Sequence, residues 1–168
     1  RELLRLDCAH YAFVKSAQRR SWSEARARFF QEAIRLNGKS VSELVLADTG
    51  KADVLRWMPR LQKELKDLPK PCGIFAADDT IAAKVLAACS RAHLRIPEDI
   101  ALLGVGNDES ICANARPSLS SIAQDFERAG YLAARLLAAR LHSPRMKPAN
   151  RTFPPLMVVR RESTRAKT

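Results

Sequence analysis

Long apolar runs are missing from these 168 residues. No stretch approaches the roughly 20 residues of a membrane-spanning helix, so that class is excluded. Aromatic residues make up only 6% and do not alternate with basic ones. That argues against a stacking platform for single-stranded nucleic acid. The chain has three histidines, His10, His93 and His142, and they do not group for metal or for catalysis. Its four cysteines, Cys8, Cys72, Cys89 and Cys112, form no CxxC pair, which argues against a zinc site. Buried, reduced thiols in a cytoplasmic protein are the expectation. There is no P-loop, no nucleophile elbow and no glycine-rich dinucleotide turn. No enzyme class and no cofactor is therefore indicated. The charged start, from Arg1 to Asp7, is no signal peptide. It reads as part of an amphipathic helix, and the chain is expected to be a piece of a longer protein.

What is present is an ordinary globular composition, 46% hydrophobic and 28% charged. The formal net charge is +11, which raises the question of nucleic acid. Its distribution matters more than its sum. Residues 1–40 hold nine basic and four acidic side chains, and residues 136–168 hold eight and one. The middle is near neutral. No helix-turn-helix or RNA-binding signature accompanies the charge. Two readings stay open: a solvated basic surface flanking a missing domain, or direct DNA contact.

Helical and strand patterns alternate along the chain. His10 to Val14 is a short apolar run and a strand candidate. Ser21 with Glu24 three residues later forms a capping-box pattern. It opens a helix to about Leu36, stopped by Asn37 and Gly38, with Phe29, Phe30, Ala33 and Ile34 facing inward. A strand follows near 44–47, then a helical pattern from about 52 to 65 with Pro59 inside, where a kink or restart is expected. Cys72 to Ala77 is a third apolar run, and a helix follows from Asp78 to about His93. Ile100 to Val105 is the most apolar strand. Pro117 to Ile122 is a short strand, Gln124 to Leu141 a long amphipathic helix, and residues 155–163 a final strand and exit.

Strands apolar on both faces and separated by helices predict an α/β fold, a parallel sheet with helices on both faces. Ligands of such sheets bind at the carboxyl ends of the strands. The segments to inspect are Arg19 to Trp22, Asp48 and Thr49, Asp78 and Asp79, and Gly106 to Asp108. Within these segments Arg20, Trp22, Asp78, Asp79, Asn107 and Asp108 are the candidate ligand-binding residues. Capping of a helix is the alternative use of Asp78 and Asp79.

The stretch from Ile96 to Asp108, IPEDIALLGVGND, resembles the "VPEDIAVVGFDD" block of lactose-repressor-type (LacI/GalR) sensor domains, which share the fold of periplasmic sugar-binding proteins. Four further blocks agree in order. They are IFAADDTIA at Ile74 to Ala82, LSSI at Leu119 to Ile122, GYLAARLL at Gly130 to Leu137 and VRREST at Val159 to Thr164. The LSSI block, the WSEAR sequence from Trp22 to Arg26 and the wording around Gly106 are similar to xylose-operon regulators, where an AraC-type DNA-binding domain follows the sensor.

The resemblance implies a two-lobed periplasmic-binding-protein-like sensor with a sugar, a pentose such as xylose, in the cleft. It also implies a cytoplasmic homodimer that reaches DNA through a domain outside this chain. Residues 10–122 and 156–164 would form the C-terminal lobe. Residues 1–8 and 124–142 would be helices of a largely missing N-terminal lobe, left without their sheet: disordered, swapped or packed on another copy. Asp79 matches the Asp of the family's "ND" pair, and Asp78 replaces its Asn; Asp79 could cap the helix while Asp78 faces the cleft. Arg26 matches the Arg of the family's "RxxGF", where Phe29 replaces the Gly, and pairs with a nearby acid if structural. Gly106 stands where the family usually has a ligand-gripping Asp, so Asn107 or Asp108 would take over. A transport-type periplasmic sugar-binding protein is the alternative function.

Overall fold

The computed structural model describes residues 1–18, 20–46, 54–143, 145 and 150–165. Short strands with β-branched and aromatic residues alternate with helices in the order β1 (His10–Ser16), α1 (Ser21–Leu36), β2 (Val41–Leu46), α2 (Val54–Asp67), β3 (Cys72–Ala76), α3 (Asp79–Arg91), β4 (Ile100–Gly106), α4 (Glu109–Cys112), β5 (Ser120–Ala123), α5 (Phe126–His142) and β6 (Met157–Val159). They form one six-stranded sheet in the order β2-β1-β3-β4-β5-β6. The first five strands are parallel, and β6 pairs antiparallel with β5 through Ser121 and Val159. The parallel sheet expected from the apolar runs is there, with an antiparallel edge added.

The central strands are buried on both faces, which is why they lack polar alternation. Val14, Ile74, Ile100 and Leu102 pack with Leu61 and Leu65 of α2 and Val85 of α3 in the larger core. Helix α2 runs through Pro59 as one element. No restart is needed, because Pro59 removes a single hydrogen bond early in the helix. On the other face, Ala27, Phe30 and Ile34 of α1 point inward. Phe13, Phe30 and Phe75 form a tilted trio with ring centroids 5.2–6.1 Å apart.

Three details differ from the sequence reading. Phe29 is 61% exposed, with the Arg28 guanidinium 4.9 Å from its ring, and Ala27 occupies the inward position. The 27-30-34 spacing turns Phe29 away. Ser21 is the first helical residue rather than the cap, so no capping box forms. Glu24 instead accepts from the buried Lys15 ammonium at 2.8 Å, opposite Glu43 at 2.9 Å.

Third, residues 1–8 do not lack a sheet. Leu3–Leu6 form a single 3-10 turn, ended by Asp7 in the left-handed region at φ 43°. Leu3 and Cys8 are buried with Tyr11, Ile34, Ala101 and Leu103. Their apolar surface is what draws the segment onto β3 and β4. Glu2 accepts two hydrogen bonds from Arg160, at 2.7 and 2.8 Å, and ties the segment to the far end of the chain. Helix α5 is the opposite case. It buries no residue, and Phe126, Tyr131, Leu137 and Leu141 are exposed.

Candidate functional site

In a parallel sheet all strand ends of one sense share one edge. The segments after β1, β3, β4 and β5 therefore converge, and the candidate residues sit there. Arg19, Asp48 and Thr49 lie outside the described residues.

Arg20 is exposed; its backbone carbonyl accepts the Ser23 and Glu24 amides, and its guanidinium donates to Gln18 at 2.7 Å. Trp22 is 39% exposed at the start of α1, and the Arg26 guanidinium lies 4.7 Å from its ring. Arg26 is anchored in turn, donating to the Ala77 carbonyl at 2.6 Å. Burial pulls the Arg26 guanidinium below its ordinary range, while nearby Asp78 and Asp79 favour its charge. Arg26 thus pairs with a carbonyl and an indole rather than with an acid in direct contact. This holds the α1 start against the β3 end and presents an aromatic face at the edge.

The adjacent aspartates divide their work in the reverse of the expected way. Asp78 is the cap of α3: its Oδ1 accepts the Ile81 amide at 2.8 Å and the Thr80 hydroxyl at 2.6 Å. Asp79 is 3% exposed and turned inward. Its Oδ1 accepts the Ser121 hydroxyl at 2.6 Å, and its Oδ2 accepts the Asp108 amide at 2.9 Å. The physical reason is position: the cap residue must stay extended outside the helix, and the next residue points back over β4.

The turn after β4 has two residues with positive φ, Gly106 at 129° and Asn107 at 54°. Glycine suits the first. A Cβ there would lie 3.1 Å from Asp79 Oδ2. An aspartate at 106 would be strained in this turn. Asn107 donates its amide to Ser121 Oγ at 3.0 Å, and its Oδ1 accepts from Arg161 at 3.0 Å. Asp108 caps α4 through Ser110, and the Ser110 hydroxyl holds its carboxyl below the usual range.

Sequence reasoning missed Ser121 and Arg161. Arg161 also donates to the Leu119 carbonyl and to Glu109. Ser163 bridges the Ser120 amide and the Leu102 carbonyl, so the closing VRREST block is a clasp over β4 and β5. Its polar residues after a strand were the available signal. A cavity of about 250 Å³ completes the edge, lined by Arg26, Val105, Gln124, Asp125 and Phe153 among others. A larger apolar groove of about 480 Å³, lined by Leu3, Phe29, Phe30 and Ile122 among others, runs along the α1 face and has few polar groups for a sugar.

All four cysteines are buried and free, and burial pushes Cys72, Cys89 and Cys112 up to about 12. Among the described residues no three His, Cys, Asp or Glu side chains come together as a metal site. No described helix is long and apolar enough to cross a membrane.

The periplasmic binding protein-like domain family matches residues 1–164. The chain belongs to that family. Within it, the chain is similar to xylose operon regulators and to LacI-family regulators. It is 33% identical over 146 residues to the xylose operon regulatory protein of Haemophilus influenzae, covering 85% of this chain and 37% of that protein. It is 36% identical over 105 residues to the protein of the same name from Escherichia coli K12, covering 62% and 27%. The structure of the xylose-binding transcription activator XylR superposes with a TM-score of 0.83 at 28% identity, over 99% of this chain and 44% of that one. A LacI family regulator from Arthrobacter in complex with lactose gives 0.75 at 27% identity, over 98% and 61%. The chain thus spans about a third of the length of the curated relatives it matches. Those relatives are transcription regulators rather than enzymes.

Proposed function

We propose that this chain is the sugar-sensing part of a cytoplasmic transcription regulator that acts as a homodimer. Sugar bound at the carboxyl edge of the sheet closes the two lobes, and closure shifts the population of a DNA-binding arrangement carried by a domain outside these residues. Residues 10–122 and 156–164 make one lobe, joined by the packed segment 1–8. Helix α5 belongs to the other lobe, a reading supported by its unburied apolar residues.

The observation that carries the sugar reading is the half-exposed Trp22 ring, held by Arg26 beside polar strand ends. A pyranose offers that ring its C–H face and offers hydroxyls to Arg20, Asp78, Asn107 and Asp108. The ligand is a pentose such as xylose. A transporter would use the same edge, and the regulator names of the relatives favour the first reading.

Titration calorimetry of the intact protein with D-xylose, D-ribose and L-arabinose tests this. One pentose should give a saturable heat, and Trp22→Ala should weaken it on the order of tenfold, as loss of an aromatic face does. A protein that binds no sugar at millimolar concentration refutes the reading.

A further inference from the structure

Resting on that sugar-binding reading, we infer that Asp79 is a positioning residue, which shapes the ligand turn from behind and does not touch the ligand. Three observations carry this. First, Asp79 is buried, and each of its oxygens already accepts a hydrogen bond, from Ser121 Oγ at 2.6 Å and from the Asp108 amide at 2.9 Å. Second, Ser121 relays the contact: its oxygen accepts the Asn107 amide at 3.0 Å while its proton goes to Asp79. One carboxylate therefore fixes two successive amides of the turn, those of Asn107 and Asp108. Third, the turn needs the support at Asn107, a non-glycine residue held at positive φ. A non-glycine residue at positive φ persists only where its surroundings hold it there.

The turn carries two of the residues proposed to meet the sugar, Asn107 and Asp108. Asp79 sets where their polar groups point. Arg161 holds the Asn107 carboxamide oxygen from the opposite side. The turn is thus pinned from β3–α3, from β5 and from the closing segment at once.

Two substitutions separate the bonds. In Asp79→Ala the Asp108 amide loses its acceptor, while Ser121 Oγ can still accept the Asn107 amide. In Ser121→Ala the Asp108 bond stays and the Asn107 amide is released. Hydrogen exchange at single-amide resolution on the intact, ligand-free protein reads each one. D79A should speed exchange at Asp108, and S121A at Asn107, each on the order of tenfold, the worth of one hydrogen bond to or relayed by a charged group. Titration with D-xylose should show both variants weakened by similar factors.

Asp108 exchange unchanged in D79A overturns the inference. So does loss of xylose binding in D79A while S121A, with its turn loosened, binds like wild type, since Asp79 then meets the sugar itself. A wild-type protein that binds no pentose refutes the sugar reading instead, and exchange alone then decides the role of Asp79.

Discussion

Gly104→Ala should be among the most damaging single-methyl additions in this chain. Gly104 lies in β4 directly beneath Asp79, and a Cβ there would overlap Asp79 Oδ1 well inside van der Waals contact. Asp79 cannot swing aside freely, because Ser121 and the Asp108 amide hold both of its oxygens. Relief must come either from shifting β4 within the sheet or from breaking one of those bonds. Overpacking of a tight core costs about 1–3 kcal/mol, and a lost hydrogen bond to a charged group about 1.5–3 kcal/mol. The two routes are alternatives, so the expected loss is about 2–3 kcal/mol rather than their sum. Gly38→Ala is the matched control. Gly38 ends α1 at φ 69° with nothing near its absent Cβ, so its cost is backbone strain alone, about 1 kcal/mol. Urea unfolding of the two variants beside wild type measures both. A Gly104→Ala protein as stable as wild type, or no less stable than Gly38→Ala, would refute the reasoning that Asp79 is locked in place.

Other expectations follow from the same structure. Leu65→Ala empties a site between α2 and the sheet where the side chain is fully buried, and should cost about 2–5 kcal/mol in denaturant melts. His10 lies between the Ser40 and Ser42 hydroxyls, 2.7 Å from Nδ1 and 2.8 Å from Nε2, and burial, aided by Lys70, holds its pKa below the ordinary value. The folded state then disfavours the imidazolium. The neutral-His contribution is complete above the unfolded pKa of about 6.5 and is lost as pH falls below it towards the folded value. His10→Asn should flatten the pH dependence of stability in that window, and an unchanged slope would count against the assignment. Arg26→Ala removes the cation beside Trp22 and the tie to Ala77. In a Trp57→Phe background, emission from Trp22 should shift to longer wavelength, and an unchanged spectrum would mean that Arg26 does not hold the ring.

The elements were legible where one period dominated. Helix α1 was bounded correctly by Gly38, and the strands from His10, Cys72 and Ile100 by their unbroken apolar runs. The errors share a cause: a local pattern was overruled by a distant partner. Ser21 and Glu24 spell a capping box, yet Glu24 is drawn to Lys15, whose buried ammonium has more to lose. Phe29 fits an inward face by hydrophobicity alone, but the small Ala27 is what the sheet admits there. Residues 1–8 look unpartnered in the sequence because the buried surface they meet comes from Ala101 and Leu103, about a hundred residues away. At the candidate site, residue types and strand ends were readable, but the roles of the neighbouring aspartates were not. Which of them caps is decided by backbone dihedrals. What the other meets is decided by Ser121, which a chain-local reading has no means of placing beside it.

The clasp formed by Arg161, Ser163 and Thr164 has a consequence for how this protein is made. Strand β5 is four residues long, and its free edge is closed by β6 and by bonds that join the Ser120 hydroxyl to the Arg161 backbone and the Thr164 hydroxyl. During synthesis that edge stays open while some forty residues, α5 included, emerge from the ribosome. An open strand edge beside exposed apolar helix is a template for pairing between nascent chains. Truncations upstream of Ser163 should therefore aggregate out of proportion to the few residues they remove, because they take away the latch on the sheet.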